Sequence, residues 1–516
     1  MSFSPSAHID RRLFLQATAA GIGTSLCGAA DAASPSEEQE LFFRSACTLR
    51  DMLKAKEASP LEVIKSHVER IDFVEPHINA VNFFPREQAI KEAEAAESQI
   101  LSGKVDWDST PLLGVPVSIK DMYEVAGMPT TAGARFRAGN VSEKDATIVR
   151  KLRQAGAIVI AITNTPLNHA ALETSNRLHG QTNNPYDLER TPGGSSGGEA
   201  ALIAAGGSPW GLGGDSGGSI RLPAHFCGVA GLVPSWGRVS TAGNVPFIYN
   251  SGPFYLRCGP MARYVEDLAL MLPIISGIDP RDPFTFPMDL RDHKRVQIDK
   301  LNVAFCTDAL KITPSDDIQA SIQAAADVMR TNGANVTKVY PPNFDSEDPL
   351  KLEASFTLLG SSSEEQLEEL RKIGEEDDPL RPEAIRRAAE WLKGKNLKEL
   401  EANAERLPEM RLEMNRFMEQ YDVLLCPVSA DLAYKHGKSW ERIYQTGGFF
   451  TNLFNLYGNL PTGTVRCGTS ADGLPIGVQI VGGSYRDDVV LAVMQLLEEQ
   501  LGGWQPPPEK NWATVN

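Results

Sequence analysis

The sequence predicts an α/β protein built around one large, mostly parallel or mixed β-sheet. Short apolar runs bounded by Gly or Pro predict buried strands, and amphipathic helical patterns lie between them. Strands that alternate with helices in this way are typical of α/β proteins. The 516 residues contain no internal repeat and no long linker, which favours one large domain over several.

Composition and charge exclude several classes of protein. Hydrophobic residues make up 42% of the chain and charged residues 22%, as in globular proteins rather than disordered or collagen-like chains. Asp and Glu total 66 against 50 Lys and Arg, which gives a net charge of −16. Such a chain repels phosphate backbones, so nucleic acid is not an expected partner. Beyond the N-terminus no segment reaches the roughly 18 apolar residues of a membrane helix, so no membrane span is expected.

Residues 1–32 are predicted to be a twin-arginine-type signal peptide. Arg11-Arg12 precede a short apolar run rich in Gly and Ala, and Ala30-Asp31-Ala32 forms a cleavage site of small residues. The run is too short to anchor the chain in a bilayer. We therefore expect a domain of residues 33–516 that is exported to the periplasm or secreted. The alternative is a cytoplasmic protein with an incidental basic N-terminus.

A capping box predicts a helix start early in the domain. Ser59 stands at the N-cap, Pro60 at the first helical position and Glu62 at the third. Further helical patterns follow at Asp145–Gln154, Val265–Leu272, Ile318–Met329 and Asp487–Glu498. Five apolar runs predict buried strands, at Val115–Ile119, Ile158–Ile162, Val303–Cys306, Val423–Cys426 and Ile476–Val481. A helical insertion is expected over residues 310–420, where the stretch Ser362–Glu419 is rich in charge.

Two glycine-rich segments, Thr191–Ala200 and Gly211–Arg221, interrupt this alternation. A flexible linker is not expected, because the apolar stretch Ala200–Ala205 lies between them. No Lys or Arg occurs from Thr191 to Ile220, which excludes a phosphate-binding loop. A dinucleotide-binding GxGxxG pattern also fails, because Ser216 stands where its last Gly is required.

Acyl-transfer chemistry remains, since backbone N–H groups of such loops can stabilise an oxyanion. The nucleophile pattern GxSxG occurs three times, centred on Ser195, Ser196 and Ser216, so it is unspecific here. A Ser-acid-His triad would need a downstream histidine, and none of the three stands in a suggestive context: His225, His293 and His436. The residues alone therefore favour acyl transfer without choosing the nucleophile.

The ordered motifs resemble the amidase signature family of serine hydrolases. The match lies in five segments, Gly114–Asp121, Gly193–Gly198, Asp215–Arg221, Gly259–Arg263 and Asp472–Gly477. Together they run through most of the chain, so the resemblance covers the whole domain. It implies the amidase-signature fold, a large mixed sheet with helices on both faces. Asn183–Leu188, together with Glu199, is most similar to the fatty-acid-amide-hydrolase branch.

The resemblance implies a Ser-cisSer-Lys triad. Ser219 matches the nucleophile, Ser195 the bridging serine on a cis peptide bond and Lys120 the base. A lysine is normally protonated at neutral pH, but burial disfavours its charged form and makes it a usable base. The family also implies an oxyanion hole formed by the backbone N–H groups of Ser216, Gly217, Gly218 and Ser219.

Three further residues are expected to support the triad. Ser196 is predicted to join its hydrogen-bond network. For Asp215 and Arg221 a structural ion pair is favoured, with substrate contact as the alternative. The sequence departs from the family at Gly214, where Thr or Ser is usual, and at Leu167, where relatives often carry a polar or acidic residue.

No metal or cofactor is expected. The chain has neither a CxxC pair nor an HExxH motif. The six cysteines that follow the signal peptide are dispersed, so their pairing cannot be deduced, and buried free thiols are the favoured interpretation.

The predicted function is hydrolysis of a carboxylic amide C–N bond through an acyl-enzyme. The expected partner is a small-molecule amide, ester or carbamate, and a homodimer is compatible with the sequence. Esterase or carbamate hydrolase activity on the same residues is the main alternative. A non-enzymatic binding protein is a weaker one, and a transamidase component is disfavoured because the chain is acidic and carries a predicted export signal.

Overall fold

The computed structural model describes residues 40–245, 256–308, 313–344, 397–439, 450–509 and 512. The predicted signal peptide lies outside these residues, as do positions 310–312 and 345–396 of the predicted insertion over 310–420. From Glu40 onward the described residues belong to one unit. No helix among them is long and apolar enough to cross a membrane.

An 11-stranded sheet runs through the domain in the order β1-β3-β2-β6-β8-β7-β12-β13-β11-β9-β10. Its strands are β1 (Val81–Phe83), β2 (Pro116–Lys120), β3 (Ile158–Thr163), β6 (Trp210–Asp215), β7 (Ala230–Val233), β8 (Arg257–Ala262), β9 (Asn302–Phe305), β10 (Asn335–Lys338), β11 (Val423–Pro427), β12 (Thr462–Thr469) and β13 (Pro475–Gly482). A separate small sheet pairs β4 (Ser175–Asn176) with β5 (Gly180–Gln181).

The large sheet is mixed, as the sequence predicts. Strand β2 runs parallel to both β3 and β6, and β9 runs parallel to β10 and β11. Between these two parallel regions, β8, β7, β12, β13 and β11 pair in antiparallel fashion. All five strands predicted from apolar runs are confirmed, within about one residue at each end.

The glycine-rich segment Trp210–Asp215 forms strand β6, although its composition does not predict a strand. Glycine is required here because the neighbouring chain lies very close. A Cβ atom on Gly211 would lie 2.6 Å from the carbonyl oxygen of Ser118 in β2. Because glycine has no side chain, a glycine-rich strand lacks the apolar pattern from which strands are normally predicted.

The helices are α1 (Ala46–Ala55), α2 (Pro60–Ile78), α3 (Arg86–Leu101), α4 (Thr147–Gln154), α5 (Gly197–Ala204), α6 (Arg221–Cys227), α7 (Val265–Ile275), α8 (Asp316–Thr331), α9 (Leu397–Met418), α10 (Asn452–Tyr457) and α11 (Asp487–Leu501). The predicted capping box opens α2, where Ser59 Oγ accepts the Glu62 N–H at 3.2 Å and the Glu62 carboxylate accepts the Ser59 N–H at 2.8 Å. The four other predicted helical patterns correspond to α4, α7, α8 and α11.

Both faces of the sheet are covered. Residues of β3 pack into two different hydrophobic clusters, Val159 and Ile162 into one and Ile158, Ile160 and Ala161 into the other, with a register shift against β2 between Val159 and Ala161. Successive side chains of a strand point to opposite faces, so a strand that is apolar at every position must be buried on both. Five of the described cysteines are buried free thiols in this core, Cys227, Cys258, Cys306, Cys426 and Cys467, and Cys47 is half-buried.

Candidate active site

Lys120 is the last residue of β2 and is 1% exposed. Its Nζ donates to Ser195 Oγ at 2.7 Å and to Ser196 Oγ at 3.0 Å. Burial lowers the pKa of Lys120 to about 7, although the negative charges of Asp215 and Glu199 act in the opposite direction. At neutral pH the lysine therefore titrates between the ammonium and the neutral amine, which is able to accept a proton.

The two serines lie just before helix α5, and both are buried. The peptide bond between Gly194 and Ser195 is cis. The Ser195 carbonyl accepts a hydrogen bond from the Thr165 hydroxyl at 3.0 Å, and the Ser196 N–H donates to the Ser219 carbonyl at 3.1 Å. This last bond ties the first glycine-rich segment to the second.

Ser219 lies in the loop that connects β6 to α6. Unlike Lys120 and Ser195, Ser219 is half-buried. Among the described residues, no hydrogen bond joins the Ser219 hydroxyl to Ser195.

The backbone of this loop presents several N–H groups. The Gly218 N–H, which the family resemblance assigns to an oxyanion hole, donates to Asp215 Oδ1 at 2.8 Å. The N–H groups of Ser216, Gly217 and Ser219 have no hydrogen-bond partner in the described part of the chain. Three donors are therefore available to a developing oxyanion.

Asp215 and Arg221 bracket the loop with an ion pair in which both side chains are 0% exposed. Arg221 Nη2 donates to Asp215 Oδ1 at 2.8 Å, and Asp215 Oδ2 also accepts the Ile220 N–H at 3.0 Å. Burial opposes ionisation, but the charge of Arg221 and these hydrogen bonds hold the pKa of Asp215 below its usual range. Both groups are satisfied by protein, which fits the structural role favoured from the sequence.

Two residues that no sequence motif marked hold this ion pair from distant elements. Asn455 of α10 donates to both the carbonyl oxygen and Oδ1 of Asp215, at 3.0 and 2.9 Å. Gln479 of β13 accepts from Arg221 Nη1 at 2.7 Å. Gln479 follows the family landmark Asp472–Gly477 by two positions, and this closeness to a motif could have marked it as a site residue from the sequence. Asn455 had no such signal.

Glu199 lies on the first turn of α5, on the side of the lysine strand, and is 0% exposed. Its Oε1 is hydrogen-bonded to the Ser118 hydroxyl, and its Oε2 accepts from the Thr163 hydroxyl at 2.6 Å. Burial raises the pKa of Glu199 to about 7. In the sequence this residue served only as a marker of the family branch.

The nearby histidines do not form a Ser-His-Asp arrangement. The His169 ring lies between the Thr165 hydroxyl and the Val245 carbonyl, both at 2.8 Å. Burial and the charge of Lys120 hold the pKa of His169 well below its usual range. His225 accepts the Gly477 N–H, and burial lowers its pKa to about 4. Both rings are therefore neutral packing residues at neutral pH.

Within the described residues one group of side chains has the composition of a metal site, Cys47, Glu266 and Asp267. Both carboxylate oxygens of Asp267 already accept backbone N–H groups at the start of α1, from Ala46 at 3.0 Å and Cys47 at 2.9 Å. This cluster therefore anchors a helix N-terminus.

Comparison with known proteins gives one consistent family. A family model described as Amidase matches residues 62–491. Human fatty-acid amide hydrolase 2 is 30% identical over 91% of this chain and 91% of its own length. A glutamyl-tRNA(Gln) amidotransferase subunit of Roseiflexus castenholzii is 33% identical over 88% of this chain and 95% of its own.

Solved structures agree in fold. A 6-aminohexanoate cyclic dimer hydrolase in complex with its substrate has a TM-score of 0.79 and 27% identity, and the match covers 91% of this chain and 99% of that one. A bacterial aryl acylamidase of the amidase signature family has a TM-score of 0.78 and 26% identity, with 91% and 98% covered.

Proposed function

Because this chain belongs to the amidase signature family, we propose that it hydrolyses a carboxylic amide C–N bond through an acyl-enzyme formed on Ser219. The observation that carries the proposal is the 2.7 Å contact between the buried Lys120 amine and the Ser195 hydroxyl. A lysine whose pKa is about 7 supplies a base at neutral pH without a histidine.

The proposed reaction begins with two proton transfers. Neutral Lys120 takes the proton of the Ser195 hydroxyl, and Ser195 takes that of Ser219. The Ser219 oxygen then attacks the amide carbonyl carbon, and the carbonyl oxygen becomes an oxyanion. The loop N–H groups of Ser216, Gly217 and Ser219 stabilise that charge. The Gly218 N–H is not part of the proposed oxyanion hole, because it donates its hydrogen bond to Asp215.

Collapse of the tetrahedral intermediate breaks the C–N bond. The proton held by Lys120 returns through Ser195 to the leaving nitrogen, which departs as an amine. A water molecule then attacks the acyl-enzyme with the same base, releases the carboxylic acid and restores the Ser219 hydroxyl. The cycle consumes one water molecule and leaves the protein unchanged.

Substitution of Ser219 tests the proposal. A fluorophosphonate probe should label the wild-type protein and Ser216→Ala, since the proposal uses only the backbone of Ser216. Ser219→Ala should give no adduct by mass spectrometry and should lose at least about 10³-fold in kcat on any amide that the wild type hydrolyses. Equal labelling of Ser219→Ala and wild type would refute the assignment.

Matched amide, ester and carbamate substrates with the same acyl group define the reaction class. The proposal expects the amide to be turned over. Turnover of the ester or carbamate alone would favour the alternative hydrolase, because the nucleophile and the oxyanion donors do not themselves require an amide nitrogen.

A further inference from the structure

Glu199 is joined to the lysine strand β2 and to its neighbour β3 through two hydroxyl groups. Ser118 and Lys120 are two positions apart on β2, so their side chains point to the same face of the sheet. Glu199 bonds to the Ser118 hydroxyl, and also to the hydroxyl of Thr163, the residue paired with Lys120 across β2 and β3. The segment just before α5 supplies the serines that contact Lys120 Nζ, and the first turn of α5 supplies this carboxyl group.

The carboxyl group has no cation in direct contact. No ion pair involving Glu199 exists among the described residues, and its hydrogen-bond partners are hydroxyl groups. The charge of Lys120 lowers the pKa of Glu199, and the charge of Glu199 raises the pKa of Lys120. The effect of Glu199 on the lysine is smaller than that of Asp215, but it persists because the effective dielectric constant inside a protein is low.

The hydrogen bonds accommodate both protonation states of Glu199. The Ser118 hydroxyl lies within reach of Glu199 Oε1 and, at 3.2 Å, of the Trp210 carbonyl oxygen. With an ionised Glu199, the single hydroxyl proton is donated to the carboxylate. With a protonated Glu199, the carboxyl group donates to Ser118, and Ser118 donates to the carbonyl.

The other titratable groups that face the lysine do not change their charge around neutral pH. Asp215 on β6 stays ionised beside Arg221. Burial raises the pKa of Cys258 on β8 and of Tyr123 after β2, so both stay neutral. His169 stays neutral because its pKa is well below its usual range. Burial also raises the pKa of Asp121, the next residue in the chain, but its charge is not among those that act on Lys120. Of the groups whose charge does act on the lysine, Glu199 is therefore the one that titrates around neutral pH.

We propose that Glu199 is a positioning residue for Lys120, whose carboxylate stabilises the ammonium form and so raises the pH above which the lysine becomes a base. This inference rests on the proposed function of Lys120. Its consequence has a definite sign: without the carboxylate, the lysine loses its proton at a lower pH.

The test is the rate at which a fluorophosphonate labels Ser219, followed from about pH 5 to about pH 9. We expect Glu199→Gln to move the midpoint of the rise downward by about half a unit to one unit, so that labelling on the acid side becomes about 3- to 10-fold faster relative to the plateau. The matched control is Glu75→Gln, which changes a half-buried carboxyl group that also has a pKa of about 7 and accepts backbone N–H groups of Ala80 and Val81. Its midpoint should equal that of the wild type.

A second variant keeps the test decisive if Glu199→Gln does not fold. Thr163→Val removes a donor that favours the ionised carboxylate, so it should move the midpoint in the same direction by a smaller amount. An unchanged or raised midpoint in a folded, labelled variant would overturn the inference while leaving the catalytic proposal intact. Absence of labelling in the wild type would instead refute the proposed function.

Discussion

The two serines that contact Lys120 differ in what else holds them. The Ser196 hydroxyl is also bonded to the backbone of Gly214, through its carbonyl at 3.3 Å and its N–H at 3.4 Å. Ser195 Oγ lies closer to Nζ, at 2.7 Å against 3.0 Å. A hydroxyl that passes a proton must be free to exchange its donor and acceptor roles, and this favours Ser195 as the bridging residue.

Paired alanine substitutions separate these roles. We expect Ser195→Ala to lower the fluorophosphonate labelling rate by at least about 100-fold, because the proton relay is broken. Ser196→Ala should lower it by only about 10-fold, because a supporting hydrogen bond to the lysine is lost. Both side chains are buried and equal in size, so each serves as the control for the other. Equal losses would mean that Ser195 has no special part in the relay.

At the scale of elements, strand β6 joins the lysine strand to the nucleophile loop. It lies between β2 and β8, and three of its six residues are glycines, Gly211, Gly213 and Gly214. Gly214, where the family usually has Thr or Ser, lies against the thioether of Met122. The methionine occupies the space that a larger side chain would take. Thus the departure from the family pattern has a packing reason.

Alanine substitutions within β6 should differ sharply in stability. A Cβ on Gly211 would lie 1.7 Å from Glu199 Oε1 and 2.6 Å from the Ser118 carbonyl, and the second contact is with backbone. A Cβ on Gly214 would meet Sδ and Cε of Met122, the flexible end of that side chain. We expect Gly211→Ala to destabilise the fold by about 2 kcal/mol or more, and Gly214→Ala by less than about 1 kcal/mol.

The measurement is the thermal unfolding midpoint of each variant beside the wild type. Neither glycine has a positive φ, so backbone conformation does not confound the comparison. A Gly214→Ala midpoint as low as that of Gly211→Ala would contradict the packing argument.

Helix α10 and strand β13 restrain the nucleophile loop from the other end of the chain. The Thr451 hydroxyl, just before α10, donates to the Gly217 carbonyl at 2.7 Å, while Asn455 and Gln479 hold the buried ion pair. A loop that presents N–H groups to an oxyanion must keep its geometry through the reaction. These contacts supply that rigidity.

At the scale of the whole molecule, a half-buried carboxyl group lies where helices α7 and α11 meet. Glu498 of α11 accepts the Val265 N–H at the start of α7 at 3.0 Å, next to Asp267. Burial, followed by the neighbouring negative charges, raises the pKa of Glu498 from 4.5 to about 8. The folded state therefore binds this proton more tightly than the unfolded chain does.

The sign of the resulting pH dependence follows from that difference. The contribution of Glu498 is complete below the unfolded pKa of 4.5 and is lost as the pH rises through about 8. Glu498→Gln keeps a carbonyl acceptor for Val265 and removes the titration. We therefore expect its unfolding midpoint to fall less than that of the wild type between about pH 5 and about pH 9. Glu69→Gln, which removes an exposed glutamate of α2 that does not act on Glu498, is the control. Parallel curves for all three proteins would contradict the prediction.

Much of the fold and the principal site residues could be predicted from the sequence. The five apolar strands, the capping box of α2 and the four helical patterns depend on residues close together in the chain, and all are confirmed. The ordered motifs identified the amidase signature family and named Lys120, Ser195, Ser196 and Ser219. The signal peptide over residues 1–32 stays a prediction.

Tertiary structure alone decided how these pieces act on each other. Strand β6 was hidden because glycine has no apolar side chain to reveal a buried strand. Glu199 meets Ser118 across 81 positions, and Asn455 meets Asp215 across 240. No local pattern encodes such contacts, since they depend on which strands pair and how helices pack on them. The lowered pKa of Lys120 has the same origin, because desolvation is a property of the folded surroundings and not of the residue.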